Sequence, residues 1–221
     1  MACDVWVIRY SLFANRDLRI ANVCAIVAVI EIKRKVSMKS QDVVIALKLI
    51  AKKTGMNEAS WVQNPWTQSQ IAHELCMSSS EINAGLKRLR ESGLLMHVAA
   101  EPKPSIKLTP FLEFLLHGIK YVFPVQLGGV TRGIVTSYAA PVFKDLIVFG
   151  EEAVPVWPYA QGGAKGLALE PLYPSVPKSV DEHPHNLFYD LLALVDAIRG
   201  GRARERNLAG ELLMKKLGME K

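Results

Sequence analysis

WTQSQIAHELCMSSSEINAGLKRLRESGLL, residues 66–95, is the stretch that decides the fold of the first half of this chain. It predicts two helices, and each begins with a hydroxyl residue that is followed three residues later by Gln or Glu: Thr67 with Gln70, and Ser78 with Glu81. In such a capping box, the hydroxyl accepts a hydrogen bond from a free backbone N–H, and the longer side chain reaches back to the cap. The two predicted helices are therefore separated only by a short break that begins at Cys76.

The second predicted helix has one apolar face and one polar face. Ile82, Leu86 and Leu89 recur at helical spacing and are expected to face inward. Gly93 is expected to end the helix, because glycine readily adopts the left-handed conformation of a C-terminal cap. The opposite face carries short or polar side chains: Ser79, Ser80, Asn83, Ala84 and Lys87. Because such side chains can approach base edges in a major groove, the pattern favours a protein that reads DNA sequence.

Residues 94–108 predict a wing. Residues 94–99 and 105–108 are expected to be strands, joined by a turn at residues 101–104 and closed by Thr109 and Pro110. With the preceding helices, this order makes residues 40–110 resemble the winged helix-turn-helix transcriptional regulators, broadly the MarR-like kind. The matching residues are Gln70-Ile71-Ala72, Leu75, Met77-Ser78, Ile82, Leu86, Leu89 and Glu91-Ser92-Gly93-Leu94-Leu95. The resemblance implies a recognition helix in the major groove and a wing on the backbone or in the minor groove.

Two sets of DNA contacts are expected from this arrangement. The base-reading set is Ser79, Ser80, Asn83 and Lys87, and the set expected to hold the DNA backbone is Thr67, Gln68, Arg88 and Lys103. Asn pairs with adenine in bidentate fashion, Ser tolerates several bases, and Lys prefers guanine or phosphate.

The predicted function is a sequence-specific transcriptional regulator that binds double-stranded DNA, acts as a repressor and forms a homodimer. The alternative is a protein-interaction module, either antitoxin-like or a scaffold, whose winged helix docks a protein partner encoded nearby. The sequence nominates no enzyme and no cofactor, because it offers no nucleophile with a matched base and orienting acid.

Composition agrees with this hypothesis without deciding it. The formal net charge of +6 favours a polyanionic partner, although a moderate excess of this kind is common. Three scattered cysteines are too few for a disulfide framework, so a reducing cytoplasm is expected. The apolar run at residues 23–30 is far shorter than the ~20 residues that cross a bilayer, and no membrane association is expected.

Residues 1–37 allow two interpretations. They are either an N-terminal extension that assists dimerisation or upstream sequence that precedes a true start at Met38.

The predicted fold class is α+β, with a winged helix-turn-helix domain at residues 38–110 and a dimerisation or effector region at residues 111–221. The first domain opens with a helix over residues 40–53, for which Ser40 is the expected N-cap. The second region is expected to contain a helix that Gly118 ends, a strand at residues 120–123 and an irregular, β-rich, Gly/Pro-rich segment. Two helices, at residues 186–199 and 202–217, are expected to follow and to offer apolar faces to a homodimer.

Other residues suggest weaker sites. Arg132, Arg202 and Arg204 are candidate contacts for phosphate or another anion. The glycines around Arg132 lack the spacing of a phosphate-binding loop, so a turn is the competing interpretation. His73 lies three residues before Cys76 on one helix, and residues 181–185 read DEHPH. Because neither group has a second metal-binding pair at a known spacing, no metal site is predicted, and residues 181–185 are expected to form a polar loop and N-cap.

Overall fold

The computed structural model describes residues 37–54, 67–96, 104–147 and 153–219. These residues have the predicted mixed α+β class. Met38–Lys221 forms one compact unit, and its hydrophobic core runs across residue 110. The alternatives for residues 1–36 concern a part of the chain that lies outside the described residues.

Two helices form the centre of this unit. Helix α1 (Ser40–Thr54) is buried continuously from Asp42 to Ala51, and helix α7 (Asn186–Gly200) is buried continuously from Leu191 to Arg199. A helix that is apolar around most of its circumference belongs in the interior, and these two helices contact each other. The predicted helix over residues 40–53 is confirmed, with Ser40 as its first residue.

The first half continues as predicted. Helix α2 (Gln68–Leu75) and helix α3 (Ser79–Glu91) are followed by two short strands, β1 (Leu95–Met96) and β2 (Ser105–Ile106). The strands pair antiparallel, with Leu95 opposite Ile106. The predicted turn between them falls in residues 97–103, outside the described part of the chain.

The next segment corrects the sequence-based prediction. Helix α4 (Leu108–Glu113) continues through a π-helical turn (Phe114–Gly118) into helix α5 (Ile119–Val122), so Gly118 does not end the helix and the strand predicted at residues 120–123 is absent. Thr109 and Pro110 do not close the wing, because they lie in the first turn of α4. Proline is tolerated there, since its missing N–H would have no partner within the helix.

The Gly/Pro-rich segment is ordered where the structure describes it. Strand β3 (Leu127–Val135) pairs antiparallel with β4 (Pro155–Pro158) and with β5 (Ala164–Leu169), while β4 and β5 pair in parallel, so the three strands close into a small barrel. A Cβ atom on Gly133 would lie 1.9 Å from the Trp157 carbonyl oxygen, and one on Gly166 would lie 1.9 Å from the Val154 carbonyl oxygen. The glycines therefore permit close strand approach. The predicted β-rich character is confirmed, whereas the chain in these strands is regular and not irregular as expected.

A buried polar network joins the barrel to α7. The carboxylate of Asp196 accepts hydrogen bonds from Trp157 Nε1 at 2.6 Å, from Thr136 Oγ1 at 3.1 Å and from Arg199 at 2.7 Å. Because an unpaired charge in the interior is very costly, these donors are what allow Asp196 to be fully buried.

The C-terminal helices are confirmed, and one more precedes them. Helix α6 (Val176–Glu182) occupies part of the segment expected to be irregular or a polar loop, and helix α8 (Ala203–Lys216) follows α7. His185 caps α7 as expected, with its Nδ1 accepting from the N–H of Phe188 at 3.3 Å. The apolar face of α7, which was expected to close a homodimer, is already covered within the chain. None of the helices in the described ranges combines the length and hydropathy that a bilayer crossing requires.

Candidate nucleic-acid interface

The turn between α2 and α3 is held by the predicted capping groups. Thr67 Oγ1 accepts the N–H of Gln70 at 3.1 Å. The second capping box is complete: Ser78 Oγ accepts the N–H of Glu81 at 3.2 Å, and Glu81 Oε2 accepts the N–H of Ser78 at 2.8 Å. Between them, Cys76 adopts the left-handed conformation with φ 52° and ends α2. These groups fix where α3 begins and how sharply the chain turns before it.

The inner face of α3 lies close against α1. Ile82, Leu86 and Leu89 are buried, as the helical spacing predicts. Gly85 is buried as well, and a Cβ atom there would lie only 2.4 Å from Ile45 Cδ1 on α1. The absence of a side chain at Gly85 therefore allows the two helices to approach closely.

The outer face of α3 is exposed. All five polar or small residues expected there are accessible: Ser79, Ser80, Asn83, Ala84 and Lys87. From Ser80 to Lys87 this face extends about 10 Å along the helix axis. The ammonium group of Lys87 lies 4.0 Å from Glu91, and both side chains remain exposed. An exposed ion pair of this kind is weak, so Lys87 remains available to a ligand.

Arg88 forms an ion pair within the chain and is largely shielded from solvent. Its Nε and Nη2 donate to the two carboxylate oxygens of Asp42 at 2.8 and 2.6 Å, and the Arg88 side chain is only 15% exposed. The hydrogen bond with Asp42 raises the pKa of Arg88 above its ordinary value. Since this pair joins α3 to α1, the guanidinium group of Arg88 is occupied within the chain and is not assigned to the DNA backbone. Thr67 and Gln68 are exposed at the start of α2, and Lys103 lies outside the described residues.

The candidate anion contacts lie on other elements. Arg132 is exposed on β3, directly opposite Lys165 on β5. Arg202 and Arg204 are exposed at the start of α8, where the backbone N–H of Arg202 donates to Glu205 Oε2 at 2.7 Å. Two basic residues at directly opposed positions repel each other, so the pair on the barrel is a local concentration of positive charge.

A buried ion cluster fixes α2 onto α1. Lys48 Nζ lies 3.1 Å from Glu74 Oε2, and Lys52 forms a second ion pair with Glu74. Burial lowers the pKa of Lys48, although the hydrogen bond with Glu74 opposes that effect. Burial alone would raise the pKa of Glu74, but hydrogen bonds from Lys52 and Lys48 hold it below its ordinary value. The ion pairs therefore favour the charged form of Glu74, and at Lys48 they oppose the effect of burial without overcoming it.

The segment before and within α6 braces the turn between α2 and α3. Ser175 Oγ donates to the Leu75 carbonyl at 2.6 Å, and Ser179 Oγ donates to the Glu74 carbonyl at 2.7 Å. Tyr173 donates its hydroxyl hydrogen bond to Glu81, the residue that completes the capping box of α3. The two serine hydroxyls satisfy carbonyl groups that the end of α2 leaves without helical partners. No local pattern could reveal these contacts, because about a hundred residues separate the partners.

The same packing gathers groups that the sequence analysis treated separately. The ligand atoms of Cys76, Glu182 and His183 lie within 4.8 Å of one another. The ring of His73 lies beside that of His183, with 4.6 Å between centroids and an interplanar angle of 49°. The sequence signal for this cluster was present as two incomplete pairs, one on α2 and one at the end of α6.

No family model matches the chain, and neither the curated proteins nor the solved structures include one that matches it.

Proposed function

We propose that this chain is a winged helix-turn-helix transcriptional regulator of the MarR-like kind, which binds double-stranded DNA with α3 in the major groove. The observation that carries the proposal is the two-sided character of α3. Its inner face is packed against α1, whereas its outer face presents Ser80, Asn83 and Lys87 to solvent. A rigidly seated helix with an exposed face of short polar side chains suits major-groove recognition.

The elements around α3 support the same proposal. Within the described residues of 40–106, the order helix, helix, helix, strand, strand is that of a winged helix, with β1 and β2 in the place of the wing. Thr67 and Gln68 lie at the exposed start of α2, where backbone N–H groups and the helix dipole favour a phosphate. The net charge of +6 is of the sign that favours a nucleic acid.

The proposal includes a homodimeric repressor in the cytoplasm. Two copies related by a two-fold axis would read a palindromic operator, whose half-sites are spaced by about one turn of DNA. Because the apolar face of α7 is buried within the chain, the proposed dimer uses a surface other than that face.

The test begins with selection of duplexes from a random library by the full chain, because the operator sequence is not known in advance. Binding of the selected duplex is then measured by fluorescence anisotropy for Asn83→Ala and for Asn207→Ala. Asn207 is a matched control, since it is also an exposed asparagine on a helix. Asn83→Ala is expected to weaken binding to the selected duplex by roughly 1–3 kcal/mol and to relax the preference at one base pair. Asn207→Ala is expected to leave affinity unchanged.

Two results would count against DNA recognition by α3. The first is equal affinity of the wild type and Asn83→Ala for the selected duplex. The second is no detectable binding to any duplex at about 50 mM salt, where phosphate contacts are strong. The second result would favour the alternative hypothesis of a protein-docking module.

A further inference from the structure

Two segments that are far apart in sequence bring four metal-binding side chains together. Cys76 ends α2, and His73 lies one turn before it on the same helix. Glu182 ends α6, and His183 follows it directly. The sulfur of Cys76, a carboxylate oxygen of Glu182 and a ring nitrogen of His183 lie within 4.8 Å of one another.

The spacing of these atoms fits a tetrahedral ion. Zinc binds thiolate at about 2.3 Å and carboxylate oxygen at about 2.1 Å, so a tetrahedral angle places the two ligand atoms about 3.6 Å apart. Cys76 Sγ and Glu182 Oε2 lie 3.7 Å apart. The His183 nitrogen lies within 4.8 Å of both, so it needs to move inward by at most about 1 Å, which a side-chain rotation can provide because the ring is only partly buried.

His73 is the candidate for a fourth ligand. Its ligand atoms lie outside the group that is within 4.8 Å, but its ring is adjacent to that of His183, with 4.6 Å between centroids and an interplanar angle of 49°. Thiolate and imidazole are ligands that zinc prefers, whereas magnesium and calcium prefer oxygen ligands alone.

The scaffold holds both halves of the cluster without an ion. Ser175 and Ser179 fix α6 to the end of α2 through hydrogen bonds to the Leu75 and Glu74 carbonyl groups. A competing cation at the cluster is Lys178, whose ammonium group lies 3.7 Å from Glu182 in an exposed pair. Such a pair contributes little, so Glu182 can exchange it for a metal ion.

We propose that Cys76, Glu182 and His183, with His73 within reach of the fourth position, bind a zinc ion that joins the turn before α3 to the end of α6. The ion would cross-link two segments that only hydrogen bonds and packing now hold together. This inference does not depend on DNA binding, because its ligands lie outside the exposed face of α3.

Cobalt(II) is the probe, because a thiolate bound to it gives a charge-transfer band in the near ultraviolet and a tetrahedral site gives visible absorption. The full chain carries Cys3→Ser and Cys24→Ser, so that Cys76 is its one remaining cysteine. We expect one equivalent of cobalt to give both signals and zinc to displace it. Cys76→Ser is expected to abolish the charge-transfer band.

A matched carboxylate pair tests the oxygen ligand. Glu182→Gln is expected to weaken zinc affinity at least tenfold in competition with a chromophoric chelator. Asp181→Asn, one residue away, is expected to leave zinc affinity unchanged, since Asp181 accepts a hydrogen bond from the Tyr159 hydroxyl at 3.1 Å instead of joining the cluster. Zinc is expected to raise the Tm of the parent chain but not that of Cys76→Ser.

The proposal is overturned if cobalt gives no charge-transfer band with the Cys3→Ser/Cys24→Ser chain, or if Glu182→Gln and Asp181→Asn bind zinc equally. Far-UV circular dichroism shows whether each variant is folded. If the double serine chain does not fold, the difference spectrum between the wild type and Cys76→Ser replaces it. In that comparison, equal charge-transfer intensities would refute the assignment of Cys76 as a ligand.

Discussion

The ion pair between Asp42 and Arg88 offers a sharp test of how α3 is seated. Arg88→Met keeps a long, flexible side chain but removes the guanidinium group. Asp42 is fully buried. Of the donors that the described residues direct at its carboxylate, the variant loses the two from Arg88 and retains the backbone N–H of Lys39, at 2.8 Å. The variant therefore leaves a buried carboxylate without its countercharge, which is one of the costliest single changes in a protein interior.

Removing one partner of a buried ion pair destabilises proteins by about 3–5 kcal/mol. The Arg88 side chain is 15% exposed, so the lower part of this range applies. We therefore expect Arg88→Met to lower the free energy of unfolding by about 3–4 kcal/mol at pH 7.

Urea denaturation of the full chain, followed by far-UV circular dichroism, measures this loss. With a slope of about 1–3 kcal/mol per molar urea, the midpoint should fall by roughly 1–4 M. Lys87→Met is the matched control, because it removes the neighbouring exposed cation and should change stability by less than about 0.5 kcal/mol. A cost for Arg88→Met below about 1 kcal/mol at pH 7 would refute the conclusion that this pair fixes α3 to α1.

Three further predictions concern other contacts. A hydrogen bond from Tyr173, followed in importance by those from Ser78, holds the pKa of Glu81 below its ordinary value of 4.5. The charged Glu81 carboxylate therefore stabilises the fold fully above pH 4.5, and this contribution is lost as the pH falls through the pKa of Glu81 in the folded protein. Tyr173→Phe should therefore reduce the fall in Tm on acidification, and an unchanged acid profile would count against this bond. Gly166→Ala should destabilise the barrel by about 1–3 kcal/mol in urea titrations, since its new Cβ atom meets the Val154 carbonyl; an effect no larger than that of Gly163→Ala, which has open space, would contradict the close approach. Trp157→Phe removes a donor to the buried Asp196 carboxylate and should lower the free energy of unfolding by about 1–3 kcal/mol in urea titrations. An unchanged free energy of unfolding would argue against this hydrogen bond.

The sequence was most informative where structure depends on near neighbours. The cap of α3 at Ser78, its buried row at Ile82, Leu86 and Leu89, and the extents of α1 and α7 follow from patterns within one or two helical turns. Such patterns report hydrogen bonds and burial that are local in sequence. The exposure of the outer face of α3 follows from the same periodicity, because the residues between the buried positions must point away from α1.

Local patterns failed where distant packing decides the conformation. Residues 120–123 read KYVF, which favours a strand, yet burial of Ile119 and the contact of α5 with α7 keep this stretch largely helical. The glycines of β3 and β5 suggested turns, whereas they serve to let strands approach within a closed barrel. Only the partner strand reveals which of these two roles a glycine has.

The candidate site shows the same division. The exposed residues of α3 could be predicted, because a helix face is a local property. The role of Arg88 could not, because its partner Asp42 lies 46 residues earlier on another helix. The cluster proposed to bind zinc escaped prediction for a similar reason: Cys76 and Glu182 lie 106 residues apart, and each has an ordinary local role at a helix end.

The contacts on α3 leave it little freedom except at its outer face. Arg88 and Gly85 seat the inner face against α1, and Glu81 at its first turn is held by Ser78 and by Tyr173. A change in the C-terminal half therefore has two routes to α3, one through Tyr173 and the end of α2 and one through the contact of α7 with α1, and neither uses the face proposed to read DNA. A zinc ion at Cys76 would act on the same junction, since Cys76 is two residues from the cap of α3. If both proposals hold, zinc should alter DNA affinity through the rigidity of this turn, and Cys76→Ser should abolish the zinc effect while leaving the base preference intact.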